Sequence, residues 1–287
     1  MFAVLGLTGH TGAAVASTLL AANKKVRALV RDKAKAASWA ERGVALVAGD
    51  VLDQKALASA FEGAEGAYTL TPPKLQSHDP IGEAIVLATA IRAAARAAKL
   101  PRLVHLSSVA AHLTHGTGPI RAAHIAEAIL ADAAPQVTFV RAAGFHENWQ
   151  PTFGLAAAQG ILPTFFKDLD AKKDMVATAD IGRVAAEQLL AAKPPHIVEL
   201  AGPATASAKD AAAAMSSALG KTIQPVQPPR EQWVGILQGN GLSAETAGLI
   251  AEMYDGWNSD HVRFEGKVPV TRGRVSLVET VASWPKP

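Results

Sequence analysis

The chain of 287 residues is long enough for one large α/β domain with a smaller appendage. Its 28 basic and 25 acidic residues leave a net charge of +3 without a dense basic cluster, which argues against a nucleic-acid partner. Cysteine is absent, so disulfides, thiolate metal ligands and thiol catalysis are excluded.

The first apolar stretch, FAVLGL, is too short for a secretory signal or a membrane span. A spanning helix needs about 20 consecutive apolar residues, and glycine and threonine interrupt this run early. We therefore expect a soluble, cytoplasmic protein with no membrane partner.

Short apolar runs alternate with alanine-rich stretches over almost the first 150 residues. Strands are predicted at residues 2–7, 25–31, 44–50, 66–72, 102–108 and 136–142. Helices are predicted near residues 12–22, 33–41, 53–61, 79–99 and 119–133, with Asp53 and Asp79 as N-terminal caps. This alternation predicts a parallel sheet, and right-handed crossovers would place helices on both of its faces.

The alternation ends after Gly144, where a segment rich in aromatic residues, proline and glycine predicts irregular structure built over a pocket. A helix from Thr178 and a strand at residues 196–202 then resume the pattern, so the core is expected to be discontinuous in sequence. From Pro203 onward we predict a small mixed lobe, with helices near residues 206–219, 230–238 and 243–257.

Three glycines, Gly6, Gly9 and Gly12, lie between the first predicted strand and the first predicted helix. In that context glycines let the backbone turn tightly and approach a pyrophosphate, and the helix N-terminus favours the phosphate charge. The alternative is a tight strand-to-helix turn without a ligand. We predict a Rossmann-type doubly wound parallel sheet, with an NAD(P)-binding domain over residues 1–150, completed by 178–202, and a substrate-binding lobe over 151–287.

The end of the second strand, LVRDK, bears on the choice of cofactor. Arg31 takes the position where a guanidinium would meet a 2′-phosphate, with Lys33 or Lys35 as possible helpers. Asp32 either serves the ribose or caps the next helix, and the whole segment could be an ordinary solvated turn. We favour NADP(H) over NAD(H).

Other predicted cofactor contacts lie at the carboxyl ends of the strands, where ligands bind in such sheets. Asp50 either accepts from the adenine amino group or caps a helix, as Asp53 also could, and the prolines at positions 72 and 73 suit an extended wall along the cofactor. The predicted cofactor-binding residues are Gly6, Thr8, Gly9, His10, Thr11, Gly12, Arg31, Asp50, Val51, Leu70, Thr71, Pro72, Ser107 and Phe145.

These residues resemble the short-chain dehydrogenase/reductase superfamily and, within it, the NmrA-like branch. The resemblance rests on GLTGHTG, ALVRD, GDVLD, LTPP, LSS, HIAEAIL and VRAAGFHENW in the first 150 residues, and on ATADIGRVAAEQL and VELAGP after them. That branch includes NAD(P)H:quinone oxidoreductases of the azoreductase and triphenylmethane-reductase type. The resemblance implies hydride transfer from NADP(H) to an apolar, electron-poor acceptor such as a quinone or an azo compound.

The superfamily's usual acid, a tyrosine four residues before a lysine on the helix after the fifth strand, is missing. The tyrosines are Tyr68 and Tyr254, and that helix instead carries His124 and Glu127 one turn apart. His124 is the candidate proton donor, oriented by Glu127, or else a helix-surface or space-filling residue. Ser107, with Ser108 beside it, is the candidate hydrogen-bond donor to the substrate or the carboxamide, or else a loop cap.

Histidines 105, 112, 115 and 124 fall in one segment, but they lack the spacing and the carboxylates of a zinc site, so we predict no metal. The aromatic residues Trp149, Phe153, Phe165, Phe166, Trp233 and Trp257 either line an apolar substrate pocket or form the core of the lobe.

The predicted partner is a small apolar acceptor, on a monomer or a homodimer. The alternatives are a non-catalytic NADP(H) sensor, because some NmrA-like proteins bind the cofactor without turnover, and a reductase or isomerase of a specific natural product.

Overall fold

The computed structural model describes residues 1–72 and 74–287. Its strands are β1 (Phe2–Val4), β2 (Val26–Val30), β3 (Ala45–Ala48), β4 (Gly66–Leu70), β5 (Arg102–Ser108), β6 (Gln136–Ala142), β7 (Gly144–Phe145), β8 (Ile161–Pro163), β9 (Met175–Val176), β10 (Ile197–Ala201), β11 (Gln224–Val226) and β12 (Thr271–Arg272).

The helices are α1 (His10–Ala21), α2 (Ala37–Glu41), α3 (Gln54–Phe61), α4 (Pro80–Ala97), α5 (Ile120–Leu130), α6 (Phe153–Gln159), α7 (Thr178–Leu190), α8 (Ala208–Leu219), α9 (Trp233–Gly239), α10 (Ala244–Asn258) and α11 (Leu277–Ala282). Short 3-10 segments precede α2, α6 and α9, at Ala34–Ala36, His146–Thr152 and Arg230–Gln232.

An eight-stranded sheet forms the centre of the molecule, in the order β12-β10-β6-β5-β4-β1-β2-β3. All of its pairings are parallel, and the strand order reverses direction at β1, where the glycine loop begins. The predicted Rossmann-type fold class is confirmed. A reversal of this kind opens a crevice beyond the carboxyl ends of the strands, which is where such sheets bind ligands.

Helices cover both faces of the sheet. Helices α1 and α7 bury apolar side chains such as Leu19 and Val184 against one face. Helices α3, α4 and α5 cover the other face with Phe61, Ile91 and Leu130. Because parallel strands are sandwiched in this way, their sequences are continuously apolar rather than alternating.

The predicted element boundaries agree best in the middle of the sheet. The strands at 102–108 and 136–142 match β5 and β6 along their whole length, whereas the first four strands end one to three residues earlier than predicted. Both predicted caps are confirmed, since the Asp53 carboxylate accepts from two backbone N–H groups of α3 and the Asp79 carboxylate accepts from the Gly82 N–H of α4.

The segment after Gly144 contains more regular structure than predicted. It forms α6 and two small two-stranded sheets, in which β7 pairs with β9 and β8 pairs with β11. Residues from this segment and from the C-terminal region share one apolar core, which contains Phe153, Met215 and Trp284. Strands of two or three residues are too short to show a periodic pattern of apolar residues, so they could not be predicted from the sequence.

The chain also returns to the main sheet near its C-terminal end. Strand β12 pairs in parallel with β10, at Leu200 with Thr271 and Ala201 with Arg272. In the residues that the model describes, no helix is both long enough and apolar enough to span a membrane.

Candidate active site

A cleft of about 1140 Å³ lies at the carboxyl ends of the strands around the reversal point. This volume is large enough for a dinucleotide, since ordinary ligand sites measure roughly 300–1,000 Å³. Most of the predicted cofactor-binding residues line it, namely Gly6, Thr8, Gly9, His10, Thr11, Arg31, Asp50, Val51, Leu70, Pro72 and Phe145.

The three glycines of the loop do different things. Gly6 has φ +70°, a left-handed conformation that favours glycine, and its carbonyl accepts from the Gly9 N–H at 2.9 Å. A Cβ on Gly12 would lie 2.2 Å from the Gly6 carbonyl oxygen, so Gly12 allows α1 to pack against the loop and does not itself line the cleft. A Cβ on Gly9 would meet only that same oxygen, at 3.4 Å, so the space beyond Gly9 belongs to the cleft.

Helix α1 begins at the cleft with an uncapped N-terminus. Gly9 occupies the cap position, where it offers no side chain to the first N–H groups of the helix, and His10 and Thr11 of the first turn line the cleft. Free N–H groups and the positive end of the helix dipole favour a phosphate. The glycine loop and the helix start therefore fit the pyrophosphate of a dinucleotide.

Arg31 lies at the carboxyl end of β2, exposed and lining the cleft. Its guanidinium makes no hydrogen bond or ion pair with any residue in the described part of the chain. Asp32 is committed to the backbone, because one of its carboxylate oxygens accepts from the Ala34 N–H at 2.8 Å. Of the two roles open to Asp32, the structure supports the capping one and leaves Arg31 as the charged group that faces the cleft.

The acidic residue after β3 has a mixed role. One carboxylate oxygen of Asp50 accepts from the Leu52 N–H at 2.9 Å, while the residue still lines the cleft. Asp53, and not Asp50, caps the following helix. Of the next loop, Pro72 lines the cleft, Thr71 does not, and the proline at position 73 lies outside the described residues.

Sequence reasoning missed one wall of the cleft. The first turns of α4 line it with residues that include Gly82, Glu83 and Val86, and Glu147 and Thr178 close it near β7. The Glu147 carboxylate is fixed there by the Thr178 N–H at 3.0 Å and the Thr178 hydroxyl at 2.6 Å. The only sequence signal for the α4 wall is its position directly after a strand at the reversal point.

A second, smaller pocket of about 170 Å³ adjoins the cleft and shares Phe145 and Asn148 with it. The remaining lining is mostly apolar and includes Trp149, Phe166, Met253, Tyr254 and Trp257, with Ser108 at the end of β5. We call this the apolar pocket.

Three of the six aromatic residues considered from the sequence line the apolar pocket: Trp149, Phe166 and Trp257. The other three belong to the packing around it. Phe153 packs edge-on against Trp284 at 5.3 Å, and Phe165 packs against Trp233 at 5.0 Å.

Ser107 does not reach either cavity. Its hydroxyl donates to the Glu127 carboxylate at 2.5 Å, and Glu127 is ion-paired with Arg141 at 2.7 Å. Successive residues of a strand point to opposite faces, so Ser108 is the serine that lines the apolar pocket. The sequence analysis chose Ser107 as the catalytic and cofactor-binding serine, whereas the structure places its neighbour Ser108 at the pocket.

His124 also lies outside both cavities. The residue is half-buried on α5, and its Nδ1 lies 2.8 Å from the carbonyl oxygen of Ala111. The expected pairing with Glu127 does not form, because Ser107 and Arg141 occupy that carboxylate. The structure therefore gives no support to His124 as the proton donor.

The histidines of the 105–124 segment do not converge. His105 is fully buried in β5 with its Nδ1 2.9 Å from the Thr69 hydroxyl, and burial lowers its pKa to about 3. Across residues 1–72 and 74–287, no three His, Asp or Glu side chains are grouped so that they could hold a metal ion.

The sequence model of the NmrA-like family matches residues 1–280, which is nearly the whole chain. The chain belongs to the NmrA-like family. Among curated relatives of this NmrA-like protein, NAD(P)H azoreductase from Xenophilus azovorans is 28% identical over 267 residues, covering 88% of this chain and 86% of the relative. Quinone oxidoreductase 2 from Escherichia coli (strain K12) is 26% identical over 258 residues, again covering 88% of this chain and 86% of the relative.

Solved structures resemble the NmrA-like chain over almost its entire length. The NADPH-dependent quinone oxidoreductase from Escherichia coli, complexed with NADPH, superposes with a TM-score of 0.76 at 23% identity, covering 98% of this chain and 99% of that one. The triphenylmethane reductase of Citrobacter sp., complexed with NADP(H), gives a TM-score of 0.77 at 22% identity and covers 98% of each chain. At this identity the likeness establishes a common fold.

Proposed function

We propose that this NmrA-like protein is an oxidoreductase that binds NADP(H) in the cleft and reduces a small, apolar, electron-poor acceptor such as a quinone in the apolar pocket. One observation carries the proposal: the two cavities meet at Phe145 and Asn148. A cofactor whose pyrophosphate lies at the glycine loop would extend along the cleft toward that junction. The names of the curated relatives, an azoreductase and a quinone oxidoreductase, support the same reaction class.

The cofactor preference rests on Arg31. A guanidinium that has no partner among residues 1–72 and 74–287, at the end of the second strand, favours a cofactor that carries a phosphate on its ribose. Asp32 does not compete for the ribose, since its carboxylate holds the turn. We infer a preference for NADPH over NADH.

The size of the apolar pocket bears on the acceptor. An engineered cavity of about 150 Å³ lined by aliphatic and aromatic side chains holds one benzene molecule, and the apolar pocket measures about 170 Å³. One six-membered ring fits, whereas a fused or triaryl system would leave its other rings in the cleft or in solvent. We therefore propose single-ring quinones as preferred acceptors, ahead of bulky dyes.

When bound, NADP(H) supplies the hydride, and the protein's own contribution is placement and desolvation. Trp149, Phe166 and Trp257 exclude water from the ring of the acceptor, and Asn148 and Ser108 offer hydrogen-bonding groups at the pocket wall. No step requires Ser107 or His124, because neither lines the cleft or the apolar pocket. An acceptor that is already electrophilic needs little acid catalysis, which agrees with this arrangement.

We also propose that two regions of the chain have different binding roles. Residues 1–150, completed by 178–202, hold the cofactor, and residues 151–287 supply the outer wall of the apolar pocket through Phe166, Met253, Tyr254 and Trp257.

Steady-state oxidation of NADPH, followed at 340 nm with a panel of benzoquinones, naphthoquinones and triarylmethane dyes, tests the proposal. Turnover that is faster with benzoquinones than with dyes is the expected result. Tight NADPH binding without turnover of any acceptor would refute the reductase and favour a nucleotide-bound sensor.

A further inference from the structure

Tyr254 of α10 lines the apolar pocket, and its phenolic hydroxyl forms no hydrogen bond with any residue among 1–72 and 74–287. We propose that Tyr254 is a catalytic residue, whose hydroxyl donates a hydrogen bond to the oxygen of the acceptor as that oxygen gains negative charge. The inference deepens the proposed function and rests on it, because it adds a third hydrogen-bonding group, beside Asn148 and Ser108, that can recognise a carbonyl oxygen in the apolar pocket.

The ring of Tyr254 is held in one orientation by neighbouring aromatic side chains. Phe165 and Phe166 meet it edge-on, with ring centroids 5.2 and 5.3 Å away, and Trp233 lies at 6.3 Å in a similar arrangement. A donor fixed by packing needs little reorganisation when charge develops nearby, which is the condition under which a hydrogen bond contributes most to catalysis.

The Tyr254 hydroxyl belongs to a pocket whose lining is mostly apolar. Tyrosine hydroxyls in apolar surroundings ordinarily find a hydrogen-bond partner, because an unpaired one costs free energy. Here the packing supplies the aromatic contacts but, in the part of the chain that the structure describes, no acceptor. A carbonyl oxygen on a ring bound in the apolar pocket would provide the missing acceptor.

The protonation state suits a donor. Burial raises the pKa of Tyr254 to about 12, so the hydroxyl keeps its proton at neutral pH. The group therefore acts by hydrogen bonding rather than by giving up its proton, since a buried tyrosinate would be unfavourable.

The step balances without a further reactant. Hydride from NADPH is transferred to one carbonyl oxygen of the quinone, the ring electrons shift so that the negative charge settles on the opposite carbonyl oxygen, and NADPH is oxidised to NADP⁺. Tyr254 stabilises the resulting hydroquinone monoanion by its hydrogen bond. A proton from water then completes the hydroquinone, so the quinone is reduced by two electrons overall.

The first experiment compares Tyr254→Phe with the wild-type protein, using p-benzoquinone as acceptor. Loss of a hydrogen bond to a charged oxygen lowers kcat/KM by roughly tenfold to a hundredfold, while NADPH binding stays unchanged. Tyr68→Phe is the matched control, since it removes the hydroxyl of a tyrosine that is buried in the sheet core and lines neither cavity. A kcat/KM for Tyr254→Phe equal to that of Tyr68→Phe would overturn the inference.

The second experiment needs no turnover. The C=O stretching frequency of p-benzoquinone, bound to the protein together with NADP⁺, is measured by infrared difference spectroscopy. A shift to lower frequency that disappears in Tyr254→Phe is expected, because a hydrogen bond from the hydroxyl weakens the C=O bond and the variant lacks that hydroxyl alone. Because the chain has no cysteine, no thiol adduct of the quinone complicates the spectrum.

The two experiments separate this inference from the function on which it rests. If the wild-type protein oxidised no NADPH with any acceptor, the reductase would be wrong, and the carbonyl shift would still test the Tyr254 contact. If turnover fell in Tyr254→Phe but the carbonyl frequency were the same in both proteins, Tyr254 would have a packing role only and the inference would be wrong.

Discussion

Replacing Arg31 by alanine is expected to remove the preference for NADPH while leaving NADH binding nearly unchanged. The structure sets the size of the effect. Arg31 has no partner to release among the described residues, so the expected loss is that of its proposed contact with the phosphate alone. A charged hydrogen bond contributes about 1.5–3 kcal/mol, and an exposed pair belongs at the low end of that range. The Kd for NADPH should therefore rise roughly tenfold, since 1.4 kcal/mol is a factor of ten.

The assay is a fluorescence titration of each variant with NADPH and with NADH. Lys35→Ala is the control, because Lys35 is exposed in the following 3-10 segment and does not line the cleft. The NADPH affinity should also fall as salt is added to the wild-type protein, and less so in Arg31→Ala, because the lost contact is electrostatic. Equal weakening of NADPH and NADH by Arg31→Ala would refute the 2′-phosphate contact.

Three further predictions concern the loop, the helix after β5 and the sheet. Gly9→Val should abolish NADPH binding while circular dichroism stays native, because the added carbon meets little protein but enters the cleft; normal binding would make the loop only a turn. His124→Ala should leave the kcat for quinones within about twofold of the wild-type value, because substitutions outside a site usually have small effects. A fall of two orders of magnitude in steady-state assays would show that His124 is the proton donor after all. Burial lowers the pKa of His105 to about 3, from an ordinary value near 6.5, and so keeps the imidazole neutral in the folded protein. As the pH falls, the imidazole of His105 is therefore protonated in the unfolded chain before it is protonated in the folded one. The unfolding free energy should thus fall by about 2 kcal/mol from pH 6.5 to pH 5, and urea titrations should show a smaller fall in His105→Gln; identical pH slopes would contradict this.

The cofactor half of the site could be predicted from the sequence because its signals are local. A glycine loop between a strand and a helix has the same geometry in any doubly wound sheet, and Arg31 follows from counting to the end of the second strand. The carboxyl ends of parallel strands meet at one edge, so residues after β1, β2, β3 and β4 converge without any knowledge of side-chain packing.

The acceptor half could not be predicted in the same way, because it depends on tertiary contacts. Whether Ser107 or Ser108 faces the pocket depends on which face of β5 each side chain takes, and on the opposite face the Ser107 hydroxyl donates to Glu127, which is paired with Arg141. Tyr254 reaches the pocket from a helix more than a hundred residues after the junction residues, and only the folding of the lobe brings it there.

Strand β12 has a consequence for protein engineering. Because the chain leaves the sheet after β10 and rejoins it at β12, the region from 203 to 270 is an internal insertion rather than a tail. The buried Asp180 accepts on its Oδ2 from the N–H groups of Arg274 and Val275 at 2.7 and 2.8 Å, so a truncation before β12 would remove both of these donors and leave the carboxylate with Arg183. Exchange of acceptor specificity between relatives therefore calls for two crossover points, one on each side of this insertion. A cassette excised between them carries Tyr254 and Trp257 with it, and residues matching Phe153 and Trp284 have to be exchanged as well, because they share a core with Met215 of the insertion.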